Sequence, residues 1–189
     1  MVEILACDGL LERVQNEIQQ YPTFNAFEIT NNHLLQSICA EVLRLHVIVL
    51  ITRTVKKPHH VNSWFLPKGQ NITVSSNVEH FHEQWNAPNH PSTEFWPERF
   101  LNEEGKFSLE GRQAQWLPFG FGEHMCPGRH FAKQEMIINF VVLMSVYEIE
   151  LLTPKAWRPE DSYARYGFGT QQPKAKVPFK IRRRAPQSS

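Results

Sequence analysis

Residues 119–129 read Phe119-Gly120-Phe121-Gly122-Glu123-His124-Met125-Cys126-Pro127-Gly128-Arg129, and the reading of the whole chain turns on them. Gly120 and Gly122 permit backbone shapes and close approaches that side chains forbid. Pro127 suits the first position of a helix, where its missing N–H would be unsatisfied anyway. The spacing predicts a tight glycine-bearing loop that delivers Cys126 to the cap of a helix running from Pro127 to Tyr147. There the thiol would face unpaired N–H groups and the positive end of the helix dipole, surroundings that favour a thiolate. Gly128 leaves room for a flat, bulky partner against the first turn.

Three readings are open for such a cysteine. It is a small core side chain beside a loop. Or it binds zinc with His124 and His130, although a structural zinc site wants four ligands in paired short spacings and no second pair is evident. Or it is the axial thiolate of a haem.

Outward from the loop, the patterning predicts helices over residues 3–20, on Leu10, Leu11, Val14 and Ile18, and over 31–46, on Leu34, Leu35, Ile38, Val42 and Leu45. Asn31 or Asn32 would cap the second. The β-branched run Val47–Val55 predicts a strand, as do Asn71–Ser75 and Val177–Ile181. From 77 to 125 regular patterning nearly disappears. A loop of that length inside a compact domain has to be held by something other than backbone ladders. The helix from Pro127 is apolar almost all round in its second half and is expected to be buried.

The 189 residues carry 20 Lys+Arg against 19 Asp+Glu, a net charge of +1, which excludes a globally basic nucleic-acid binder and an acidic disordered chain. Cysteines stand at 7, 39 and 126, too few and too far apart for a disulfide framework. The start shows no secretory signal, so Asn71-Ile72-Thr73 is read as a chance sequon. The stretch Met136–Val146 is far short of the ~20 apolar residues of a spanning helix. As it stands the chain reads as cytoplasmic.

The stretch Phe119–Gly128 resembles the haem-binding loop of the cytochrome P-450 family, Phe-x-x-Gly-x-x-x-Cys-x-Gly, at Phe119, Gly122, Cys126 and Gly128, with the basic His124 two positions before the cysteine. Two further motifs stand in the family's order. Glu41-Val42-Leu43-Arg44 is similar to its Glu-x-x-Arg, and Phe95-Trp96-Pro97-Glu98-Arg99-Phe100 to its Phe-x-Pro-x-Arg-Phe. Leu66-Pro67-Lys68-Gly69, His80 and Trp85-x-x-Pro88 also fall where members place similar residues. The resemblance covers nearly the whole chain but only the family's C-terminal part, and is loosely fungal in flavour.

It implies a fold that is mainly α with a small β component: a truncated, single partial domain over 1–189, with a basic tail from 174 that is flexible from about 182. Cys126 would be the proximal ligand of haem b (iron protoporphyrin IX), whose electronics a thiolate tunes toward O–O cleavage. Phe119, Gly120, Gly122 and Gly128 would shape the cofactor site. His124 and Arg53 would meet the haem propionates. Glu41, Arg44 and Arg99 would form a triad that pins the long irregular segment. His80 and His130 are read as structural. Val47, Ile48, Val49, Leu50 and Phe168 would line the substrate pocket. Many members place prolines soon after Glu-x-x-Arg, whereas His46-Val47-Ile48-Val49 follows here, which leaves the path of that strand open.

The implied activity is insertion of one atom of O₂ into a small apolar organic substrate. Electrons would come from NADPH through a cytochrome P-450 reductase, docked on Arg112, Arg129 and Lys133. No nucleic-acid partner is implied. Association with the endoplasmic reticulum membrane would run through a segment not in this chain. The oxygen-activating helix of the family is not in it either. The rival functions are a non-catalytic remnant, a haem-thiolate isomerase or dehydratase, and a zinc-binding interaction module. The stripe Leu34, Ile38 and Leu45 and the helix Met136–Val146 are expected to lack packing partners and to form an apolar patch.

Overall fold

In the computed structural model, residues 1–21, 23–155 and 157–185 are described. The predicted helix over 3–20 is two helices, α1 (Val2–Ala6) and α2 (Leu10–Gln19), because Gly9 between them takes φ +71°. A left-handed residue cannot continue a right-handed helix. A short α3 (Ala26–Asn31) follows, capped by the Asn25 side chain, which accepts from Phe27 N and Glu28 N. Six residues are too few to show a hydrophobic stripe, so periodicity does not reveal it. The helix α4 (His33–His46) is capped by Asn32, whose side chain accepts from Leu35 N at 2.9 Å.

The chain then runs straight into β1 (Val47–Thr54), the hairpin β2 (His59–Val61) and β3 (Trp64–Leu66), β4 (Asn71–Ser75) and α5 (Ser76–His80). Short 3-10 turns carry the irregular segment to α6 (Arg129–Val146), after which come β5 (Tyr147–Leu151), β6 (Asp161–Ser162), β7 (Phe168–Thr170), β8 (Gln172–Pro173) and β9 (Phe179–Arg183). Helix outweighs strand, 39% against 22%, so the β component is more than small. The strand β1 is regular despite the absence of prolines. It pairs antiparallel with β7 through Val47–Val49 and with β4 through Leu50–Thr54, changing partner halfway. The basic stretch expected to be flexible from about 182 instead completes β9, paired with β5; Arg184 N donates to Val146 O at 2.8 Å and its Nε to Met144 O at 3.0 Å. The end of that tail, residues 186–189, lies outside the described residues.

The core centres on α4. Leu34, Leu35, Ile38, Leu43 and Leu45 are buried in one cluster with Ile4, Leu10, Val14, Ile29, Ile137 and Val141. The stripe Leu34, Ile38 and Leu45 is therefore not left open: α3 and the distant α6 pack on α4, and Ile4, Leu10 and Val14 of α1 and α2 join the same cluster. The helix α6 departs from expectation in the other sense. It buries Ile137, Val141 and Met144 but exposes Met136 and Val142, because only one face meets α3 and α4.

His46, at the α4–β1 junction, ties the two ends of the chain together. Its Nδ1 lies 3.2 Å from Asp161 Oδ2 and its Nε2 3.3 Å from Glu3 Oε1, and Glu3 also accepts from Arg158 Nε at 2.7 Å. Only the imidazolium can donate to both carboxylates. Burial opposes its charge, but the hydrogen bonds and charges of Glu3 and Asp161 outweigh burial and raise its pKa. The stabilisation is thus fully present below the unfolded value of about 6.5 and is lost as pH rises through the raised folded value. Urea melts of the wild type should weaken over that window, and His46→Gln should flatten the dependence.

Candidate functional site

The site is braced by a buried carboxylate. Glu41 and Arg44, one turn apart on α4, are both 0% exposed, and Arg99 reaches them from the 3-10 turn Pro97–Phe100. Arg44 grips Glu41 with two parallel bonds, Nε to Oε2 at 2.7 Å and Nη2 to Oε1 at 2.8 Å. Arg99 Nε donates to Oε1 at 3.2 Å, and the Trp96 N–H to the same oxygen at 3.0 Å. Two guanidinium groups share one carboxylate, so their remaining N–H groups must be satisfied elsewhere. Arg44 Nη1 donates to His80 O at 2.6 Å and Ser92 O at 2.7 Å. Arg99 donates to the carbonyls of Trp85, His90 and Pro91. This is what holds the segment that lacked regular patterning: its carbonyls wrap two buried cations. Burial lowers the pKa of Arg99, and the charge of Glu41 opposes that shift. Arg44 also lies 5.4 Å above the Trp85 ring, and Trp85 is itself buried.

The cysteine loop lies beyond that network. Gly120 and Gly122 take φ +78° and +72°, so both need the left-handed region. The loop closes on itself: Cys126 N donates to Phe119 O at 2.9 Å, Met125 N to Gly122 O at 3.0 Å and Gly120 N to Leu117 O at 3.1 Å. Pro127 is not the first helical residue. Gly128 is the N-cap of α6, which places Cys126 two residues before the cap. Cys126 and His124 are exposed, and Phe119 is half-buried, its ring edge-on to Trp116 at 6.1 Å.

Arg53 is brought to this loop from β1: its Nη2 donates to Phe121 O at 2.7 Å. The expected pocket residues divide. Val47 and Ile48 are buried, Val47 in the core itself, so they do not line an open pocket; Val49 is half-buried. Leu50 and Phe168 are exposed, and a Cβ on Gly167 would sit 2.5 Å from Leu50 Cγ. Arg112, expected among the docking cations, is turned inward. It donates to Arg99 O and lies 5.0 Å from the Trp85 ring. Lys133 lies 5.3 Å from the Phe107 ring, and Arg129 donates to Cys126 O at 3.2 Å. Among the described residues, His124, Cys126 and His130 do not form a group able to hold a metal ion, which removes the geometric basis of the zinc reading.

The family model described as Cytochrome P450 matches residues 7–179. The chain belongs to the cytochrome P450 family. It is 38% identical to cytochrome P450 monooxygenase fsoE of Humicola fuscoatra and 35% identical to cytochrome P450 monooxygenase efuG of Hormonema carpetanum, with 85% of this chain and 33% of each relative covered. A steroid 17-alpha-hydroxylase/17,20 lyase of Squalus acanthias is 26% identical over 90% of the chain. The chain thus spans about a third of the length of the curated relatives it matches. Among the described residues, no helix is long and apolar enough to cross a membrane.

Trp116 escaped sequence reasoning, and His80 entered it without a partner. Trp116 donates from Nε1 to Ala40 O at 3.1 Å, beside Glu41, and His80 Nε2 accepts from Leu117 N at 2.9 Å. His80 was placed only as structural. The sole sequence signal for Trp116 was its position three residues before Phe119. Glu41→Gln should strip both guanidinium groups of their counter-charge. A loss of roughly 3–5 kcal/mol, the cost of breaking a buried ion pair, is expected in denaturant melts. Glu104→Gln, in an exposed pair with Lys106, should cost under about 1 kcal/mol.

Proposed function

We propose that this chain is the haem-thiolate part of a P450 monooxygenase, with Cys126 as the axial ligand of the iron. The observation that carries the reading is the placement of Cys126: an exposed sulfur just before α6, at the end of a loop whose two left-handed glycines face open space and whose base is tied to Ala40 O and His80, beside the buried triad.

The residues present fit a flat, anionic macrocycle. A Cβ added at Gly120 or Gly122 would meet nothing within 4 Å, and one at Gly128 would lie 3.8 Å from the Cys126 sulfur. His124, as a hydrogen-bond donor, and Arg53, as a cation, are the candidates for meeting the propionates, and Arg53 already reaches the loop at Phe121 O. Phe119 would pack against the macrocycle near the sulfur and limit water there. The exposed apolar side chains Leu50 and Phe168, from paired strands, are the candidates for touching an apolar substrate. Haem, when bound, supplies the chemistry: activation of O₂, insertion of one oxygen atom into the substrate and reduction of the other to water, with electrons from NADPH through a separate reductase. This chain's own contribution is to hold the sulfur, orient the ring's carboxylates and shape one wall of the substrate space. Lys133 and Arg129 remain the candidates for docking the reductase.

The test is spectroscopic. Purified chain, expressed with haem supply or titrated with hemin, should take up haem at one to one and give a strongly red-shifted ferrous-CO Soret band. Cys126→Ala should abolish that band, whereas Cys39→Ala, in the core, should retain it. Metal analysis finding zinc and no haem, or a band indifferent to Cys126→Ala, would overturn the proposal.

A further inference from the structure

We infer that His80 is a positioning residue for the cysteine loop: its imidazole hangs the limb Trp116–Phe119 on the Glu41–Arg44–Arg99 network. The functional meaning of this inference rests on the role proposed for Cys126, but the clamp itself stands on geometry. His80 closes α5 and is fully buried. It is held from both sides. Its backbone carbonyl accepts from Arg44 Nη1 at 2.6 Å, and its Nε2 accepts from the Leu117 N–H at 2.9 Å. One residue away, the Trp116 indole is anchored to Ala40 O and meets Phe119 edge-on. The Phe119 carbonyl then accepts the Cys126 N–H at 2.9 Å. A continuous path of hydrogen bonds and backbone therefore leads from Arg44 through His80, Leu117 and Phe119 to Cys126.

The path requires a neutral imidazole. An N–H can be received at Nε2 only if that nitrogen carries a lone pair, which assigns the proton to Nδ1. Burial first, and then the Arg44 charge, hold His80 down at about 4. Arg44 on α4 is the charge that faces the ring, with Glu41 and Arg99 behind it. The limb Trp116-Leu117-Pro118-Phe119 and the start of β1, Val47–Ile51, contain no titratable side chain. The acceptor state therefore persists at neutral pH. Nδ1 makes no hydrogen bond of good geometry, but the backbone of Arg44 and Val47 lies beside the ring and favours a proton there.

The experiment compares the full chain with His80→Leu, which removes the acceptor, and His80→Gln, whose Oε1 can replace it. Amide hydrogen exchange at Leu117 is read against Val141 in α6, which reports global opening. In H80L the Leu117 amide should exchange at least about tenfold faster, the factor carried by a net hydrogen bond of ~1.4 kcal/mol, with Val141 unchanged. H80Q should stay near the wild type. With hemin bound, H80L should lose the red-shifted ferrous-CO band in favour of a non-thiolate band at neutral pH, and H80Q should keep it. Unchanged Leu117 exchange in H80L, or loss of protection in H80Q as well, overturns the clamp. Faster exchange in H80L with the thiolate band intact overturns its role in positioning Cys126. If the wild type takes up no hemin, the reading of Cys126 falls while the exchange comparison still decides the clamp.

Discussion

One carboxylate between two guanidinium groups organises this protein. Glu41 cannot be buried without its cations, and Arg44 and Arg99 cannot be buried without acceptors for the N–H groups that Glu41 leaves over. Those acceptors are backbone carbonyls between His80 and Ser92, at the end of α5 and in the turns after it, where helical and ladder bonds are few. The two deficits cancel. Planar guanidinium forks suit this task, because each reaches several carbonyls from a fixed plane, which an ammonium cannot do. The ion network is thus a device for giving irregular backbone a definite path.

That path has a consequence at the other end. The segment emerging from the network at Trp116 becomes the cysteine loop, and its first residues are tied back to Ala40 and His80. The loop itself is held mainly by its own turns and by two left-handed glycines. A sulfur exposed at the end of such a loop is located by what stands behind it. Placement by rigid buried elements, rather than by contacts at the tip, is what a preorganised ligand needs.

Much of the site could be read from the residues in order. Glu41, Arg44 and Arg99 lie 58 positions apart at the extremes, yet the Glu-x-x-Arg and Phe-x-Pro-x-Arg-Phe resemblances bring them together, and the structure shows them in contact. The helix over 31–46 and the strands at 47 and 71 were legible because their periodicity is local. Other features were not. Gly9 splits a helix that the apolar spacing runs straight through, since the spacing of side chains carries no information about φ. Val47 and Ile48 looked like pocket residues because they are apolar, but an apolar side chain faces either a core or a cavity, and the sequence does not distinguish the two. Arg112 looked like a free surface cation, and is instead packed beside Trp85.

By itself, then, the sequence determined which sulfur sits in the glycine-bearing loop, the glycines that this loop requires, and the charges that must be paired, because each depends on chemical type and short spacing. Only the tertiary structure decided which carbonyls those charges would satisfy, that the apolar stripe of α4 would be covered by the distant α6 as well as by α3, and that His80 would stand between the triad and the cysteine loop. Those outcomes depend on which distant surfaces meet, and a hydrogen bond 37 residues long in sequence leaves no mark in either local pattern.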